Sequence, residues 1–256
     1  MNRIKELFKE KKKDILNVYF TAGYPKLDDT VRIATNLTHC GVDLIELGMP
    51  YSDPLADGFT IQQSSMKALK NGMSLDLLFD QVQEFRKSHE TPIILMGYLN
   101  QLIQYGQKKF LDKCVQIGID GLILPDLPMD IFQKEFQKDL EERDIAFSFL
   151  ITPQTSDERI LLADQLSTGF VYVVSQSSIT GKTGDISITQ QAYFDYINKM
   201  NLSTPTLIGF GIHDKSTYEV ACSNSNGAII GSAFIRALDG ENTIKDKVKN
   251  FVSLIR

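Results

Sequence analysis

Three observations predict an α/β fold of the (β/α)8 TIM-barrel type with an extra N-terminal helix. Eight short β-branched or aliphatic runs recur along the chain. Longer segments with helical spacing of apolar residues separate them, and that alternation implies parallel strands joined by crossover helices. The length, 256 residues, suits a closed barrel of about 250 residues better than an open doubly wound sheet. No Pro/Gly/Ser-rich linker or low-complexity segment divides the chain, so residues 1–256 read as one (β/α)8 barrel domain.

The N-terminus, MNRIKELFKEKKK, places Ile4, Leu7 and Phe8 on one helical face and reads as a short amphipathic helix. It lacks the apolar core of a signal peptide. Lys11-Lys12-Lys13 follows Glu6 and Glu10 and reads as a solvated helix end. The eight runs are ILNVYF (15–20), VDLIEL (42–47), PIILMG (92–97), GLIL (121–124), AFSFLI (146–151), FVYVVS (170–175), TLIGF (206–210) and GAIIG (227–231). Between and after them lie amphipathic helices. One carries Ile131, Phe132, Phe136 and Leu140 on a shared face, and the last carries Ile244, Val248, Phe251, Val252 and Ile255.

Composition narrows the function. With a net charge of -5 and a pI near 5.3, nothing points to a nucleic-acid partner. No apolar run approaches the roughly 18 residues of a membrane span. Cys40, Cys114 and Cys222 are far apart and form no CxxC pair, which fits a reducing, cytoplasmic setting.

Barrel enzymes do their chemistry at the C-terminal ends of the strands. None of the eight runs ends in Lys, so a Schiff base is not indicated. His39, His89 and His213 show no HxH or HExxH spacing, so no metal site is expected. Carboxylates remain. Glu46 sits inside the second run, and alternation places Leu44, Glu46 and Gly48 on one face. An inward Glu46 faces the pocket, and without a neighbouring cation its pKa rises into the range that suits proton transfer. Asp53 and Asp57 follow in a loop stiffened by Pro50 and Pro54, with Gly58 allowing the turn. Either Asp alone fits an ordinary turn cap. The glycines form a second group. SSITGKTGD follows the sixth run, and Gly209, Phe210, Gly211, Gly231 and Ser232 follow the seventh and eighth, where many barrels hold phosphate. The residues alone thus suggest proton transfer on a phosphorylated small molecule.

The stretch DLIELGMPYSDPLADGFTIQ closely resembles the signature of the tryptophan synthase α subunit. FTAGYP, LMGYLN, LILPDLP, VYVVSQSSITG, GFGI and GAIIGSAF extend the resemblance over nearly the whole chain. It implies retro-aldol cleavage of indole-3-glycerol phosphate to indole and glyceraldehyde 3-phosphate, with indole passed to a β subunit in an αββα tetramer. Glu46 matches the general acid/base and Asp57 the acid that holds the indole N–H. Tyr172 matches the residue that lines the pocket beside Glu46. Thr180 and Gly181 match the loop that closes over substrate. Gly181, Gly211, Gly231 and Ser232 match the phosphate binders, and Tyr19, Met96, Ile123 and Phe210 the indole pocket. Asp53 and Pro54 match the β-subunit contact. No cofactor is implied in this chain; pyridoxal phosphate belongs to the partner. The chain departs from the family pattern at Tyr19, where Phe is common, at Phe59, where Pro is common, and at Lys182-Thr183-Gly184. The other functions weighed are a stand-alone indole-releasing lyase, a non-catalytic activator of the β subunit, and another phosphosugar-binding barrel enzyme.

Overall fold

A computed structural model describes residues 2–175, 188–209 and 211–256. Among these residues nine parallel strands form a continuous sheet: β1 (Ile15–Thr21), β2 (Leu44–Gly48), β3 (Ile93–Met96), β4 (Gly121–Ile123), β5 (Ala146–Phe147), β6 (Leu150–Ile151), β7 (Val171–Val174), β8 (Thr206–Gly209) and β9 (Gly227–Ile230). Their order is β5-β4-β3-β2-β1-β9-β8-β7-β6. The two ends, β5 and β6, are separated in the chain only by Ser148 and Phe149, so the curled sheet returns on itself and makes the expected TIM barrel. The fifth run therefore supplies two short strands. Side-chain hydroxyls explain the break. Phe147 N–H donates to Thr168 Oγ1 and Phe149 N–H to Ser167 Oγ, while Phe170 N–H donates to Ser148 Oγ.

Period-two alternation sorts the strand residues into two apolar clusters. Ile15, Leu44, Ile94, Ile123, Phe170, Leu207 and Ile229 pack inside the barrel. Leu16, Val18, Phe20, Ile45, Leu47 and Leu95 pack outward against the helices. The N-terminal helix Arg3–Glu10 contributes Ile4 and Phe8 to the interior cluster and so plugs one end of the barrel. Asn2 caps it, accepting from the N–H groups of Ile4 and Lys5, and its amide donates to the carbonyls of Asp120 and Asp144. Beside this cap, buried Asp120 binds Arg86 at 2.8 Å and Arg3 at 2.9 Å and accepts from Ile93 N–H. These contacts hold the end of the barrel opposite the candidate site.

The helical face read over 131–140 forms three short helical pieces with a wide turn at Phe132–Phe136. Phe132, Phe136 and Leu140 are buried; Ile131 is half-buried. The last helix, Ile244–Ile255, buries Val248, Phe251, Val252 and Ile255 as its spacing implies.

Candidate active site

Glu46 points into the barrel near the C-terminal end of β2. Its register neighbours are Tyr19 on β1 and Ile94 on β3. It is 1% exposed. No ion pair reaches it among the described residues; its donor is Asn17 Nδ2, 2.9 Å from Oε2. Burial disfavours the carboxylate. It pushes the Glu46 pKa up to about 8, against the pull of the Asn17 hydrogen bond and with help from the charge of Asp57.

Asp57 lies in the loop between β2 and the helix Phe59–Lys70. Its pKa rises to about 6 by burial, and the Tyr98 hydrogen bond opposes the rise. Tyr98 Oη donates to Asp57 Oδ2 at 3.1 Å and accepts from Ala56 N–H at 2.9 Å. The ring stacks on Tyr51 with centroids 5.1 Å apart. Gln62 Nε2 donates to the carbonyl of Asp57 at 2.8 Å, and Gln101 Nε2 to that of Pro50 at 2.9 Å. The loop is thus clamped from two helices, and its carboxylate is aimed by Tyr98. Within the same loop Pro54 is buried, whereas Asp53 is exposed and Leu55 is 95% exposed.

Two tyrosines share the interior with these acids. Burial above all, helped by the charges of Glu46 and Asp57, holds the hydroxyls of Tyr19 and Tyr172 protonated. Each ring lies against a glycine. A Cβ on Gly48 would collide with the Tyr19 hydroxyl, and one on Gly209 with that of Tyr172. Met96, half-buried, pairs in register with Gly48 on one side and Ile123 on the other, so both reach the same mouth.

A cavity of about 110 Å³ opens between the ends of β8 and β9. Tyr172, Gly211, Gly231 and Ser232 line it, joined by His213 and Arg236. Gly211 has φ +81°, a conformation that favours glycine. Thr180, Gly181 and Phe210 lie outside the described residues, as do Lys182, Thr183 and Gly184. The described expectations meet at one end of the barrel: Glu46, Tyr19, Asp57, Tyr172 and the glycine-lined cavity. Sequence reasoning missed Asn17 and the role of Tyr98. Asn17 carried one signal, a polar amide on the inward face of an apolar strand. Tyr98 stood in a motif but had no visible link to Asp57, 41 residues away. Among the described residues, no group of three or more His, Cys, Asp or Glu is placed to hold a metal ion. No helix there is long and apolar enough to cross a membrane.

A sequence model of the family described as "Tryptophan synthase alpha chain" matches residues 5–255. The chain belongs to the tryptophan synthase alpha chain family. It is 51% identical over 256 residues to the tryptophan synthase alpha chain of Flavobacterium johnsoniae, with 100% of both chains covered. Among solved structures it resembles the Legionella pneumophila tryptophan synthase alpha chain, with 30% identity, TM-score 0.88, and 100% and 96% of the two chains covered. It also resembles a chain of the tryptophan synthase α2β2 complex of Pyrococcus furiosus, with 34% identity, TM-score 0.87, and 96% and 98% covered. The family assignment carries a lyase and a role in tryptophan biosynthesis.

For a tryptophan synthase alpha chain, the two acids divide their states usefully. Near neutral pH Glu46 keeps its proton and Asp57 gives its proton up, so the site offers one acid and one anion. Phe59, where the family resemblance leads one to expect Pro, opens the helix Phe59–Lys70 after Gly58 and is 76% exposed. A first-turn N–H has no intrahelical partner in any case. Having Phe there instead of Pro therefore costs no helix hydrogen bond.

Proposed function

We propose that this chain cleaves indole-3-glycerol phosphate to indole and glyceraldehyde 3-phosphate. The observation that carries the reading is the pair of unequally buried acids, Glu46 inside the barrel and Asp57 held by Tyr98 at its mouth, with the glycine-lined cavity beside them. Glu46 delivers its proton to the indole carbon that bears the glycerol chain. The resulting cation sits on the ring nitrogen, where the Asp57 carboxylate accepts the N–H hydrogen bond. The carbon–carbon bond then breaks and its electron pair returns to the ring. The Glu46 carboxylate takes the proton of the adjacent hydroxyl, which becomes the aldehyde. One proton goes onto indole and one returns, so Glu46 ends as it began.

The protonated ring is the electron sink, so the cleavage needs no Schiff-base lysine and no cofactor in this chain. Gly211, Gly231 and Ser232 receive the phosphate, with Arg236 as a nearby cation. Tyr19, Met96 and Ile123 flank the ring. Thr180, Gly181 and Phe210 keep the roles that the family resemblance gives them.

The partner is a pyridoxal-phosphate-dependent β subunit in an αββα assembly, supported by the likeness to the Pyrococcus furiosus complex. The loop with Asp53, Pro54 and exposed Leu55 faces it. Incubating indole-3-glycerol phosphate with the full chain, alone and with a β subunit, tests the reaction. Stoichiometric indole and glyceraldehyde 3-phosphate are expected. Their absence in both arms overturns the proposal.

A further inference from the structure

Asn17 is fully buried inside the barrel, one turn of the strand alternation below Tyr19. Its Nδ2 donates to Glu46 Oε2 at 2.9 Å. Its Oδ1 has no hydrogen-bond partner among the described residues. A buried amide oxygen left unpaired is unfavourable, and an apolar residue of the same shape would avoid the cost. The position thus retains a polar group whose second half is unused in the observed arrangement.

We infer that Asn17 is a positioning residue that serves both protonation states of Glu46 by exchanging the two ends of its amide. Toward the carboxylate it presents Nδ2–H, the contact made to Oε2. Toward the protonated carboxyl it turns about χ2 and presents Oδ1, which accepts the carboxyl O–H. The two ends are nearly equal in size, so the turn needs no extra space. Asn17 gains and loses no proton. It keeps the carboxyl oriented while the proton leaves and returns. This rests on the proton-shuttling role proposed for Glu46.

The other titratable groups facing Glu46 are Asp57 from the loop, Tyr19 on β1 and Tyr172 on β7. Asp57 is itself an acid, and the Tyr19 and Tyr172 hydroxyls stay protonated; the donor seen on Glu46 Oε2 is the Asn17 amide. Asn17 supplies that donor without adding a charge.

The test reads the Glu46 carboxyl directly, before any substrate is added. An infrared difference spectrum between the full chain and Glu46→Gln isolates the protonated Glu46 C=O band. In Asn17→Leu, and in Asn17→Val should Leu not fold, that band moves to higher wavenumber. Its titration midpoint rises by roughly one pH unit. In cleavage assays the alkaline limb of kcat/KM follows the midpoint, while KM changes less than twofold. In the unsubstituted chain, the Asn17 side-chain amide resonances in 15N NMR change with the same midpoint. An unmoved band and midpoint in the variants, or amide resonances indifferent to the Glu46 titration, overturn the inference. Undiminished cleavage by Glu46→Gln would instead remove the reading on which it rests.

Discussion

Glu46→Gln changes stability as well as activity, and the two effects have opposite signs. The Glu46 carboxyl titrates near 4.5 in the unfolded chain and near 8 in the folded one. Between those values the folded state holds one proton that the unfolded state has lost. Stability therefore falls as pH rises through this window. Each pH unit is worth about 1.4 kcal/mol, so the loss reaches about 3 kcal/mol by pH 7 and about 5 kcal/mol above pH 8. Gln keeps the shape and still accepts from Asn17 but does not titrate. All other groups cancel in the comparison. Thermal unfolding of both proteins at pH 5 and pH 7 is the assay. About 2.5 kcal/mol of that loss falls between the two, so the advantage of the variant should widen by roughly 5–10 °C, at about 2–4 °C per kcal/mol for a chain of this size. Indole release should fall by at least about a thousandfold, the scale expected when a positioned acid/base is removed. A Tm difference that does not change with pH would refute the burial argument, whatever happens to activity.

Three further expectations concern the Asp57 loop and the phosphate cavity. Tyr98→Phe removes the hydrogen bond that holds the Asp57 pKa down, so the acid limb of kcat/KM should move upward. kcat should drop about tenfold, the worth of one charge-assisted hydrogen bond. A superimposable profile would show that Tyr98 does not aim Asp57. Ser232→Asp sets a carboxylate beside the phosphate cavity. Like-charge repulsion at a few ångströms should raise KM at least about tenfold and spare kcat, and an unchanged KM would move the phosphate elsewhere. Leu55→Asp places a charge on the exposed tip of the loop. Titration calorimetry with the β subunit should show weaker association by at least about tenfold, while cleavage by the chain alone stays the same. Unaltered association would exclude this tip from the interface.

Local pattern made the barrel and Glu46 legible; distant contacts hid their supports. Alternation alone put Leu44 and Glu46 on the inward face and Ile45 and Leu47 on the outward one, because strand side chains have a period of two. The fifth run hid its break, since AFSFLI reads as one strand. Ser167 and Thr168, about twenty residues later, supply the hydroxyls that replace ladder bonds. The segment around Phe132 hid its wide turn for a similar reason, because an apolar face at helical spacing does not report a local change in hydrogen-bond period. From spacing alone Asp57 is only a loop acid like Asp53, and it is the family resemblance that tells the two apart. The structure separates them: Asp57 is held by Tyr98, while among the described residues Asp53 accepts only from its neighbour Ser52 and is exposed. Asn17 meets Glu46 across 29 residues, a contact that no spacing rule anticipates.

The most direct test of the central claim is the alkaline limb of kcat/KM for indole release. Substrate phosphate titrates near pH 6 and complicates the acid limb, but near pH 8 Glu46 is the group that loses its proton. kcat/KM is expected to fall tenfold per pH unit above a midpoint near 8. A rate that stays flat to about pH 9.5, more than a unit beyond that midpoint, would mean that protonated Glu46 is not the acid that starts the cleavage.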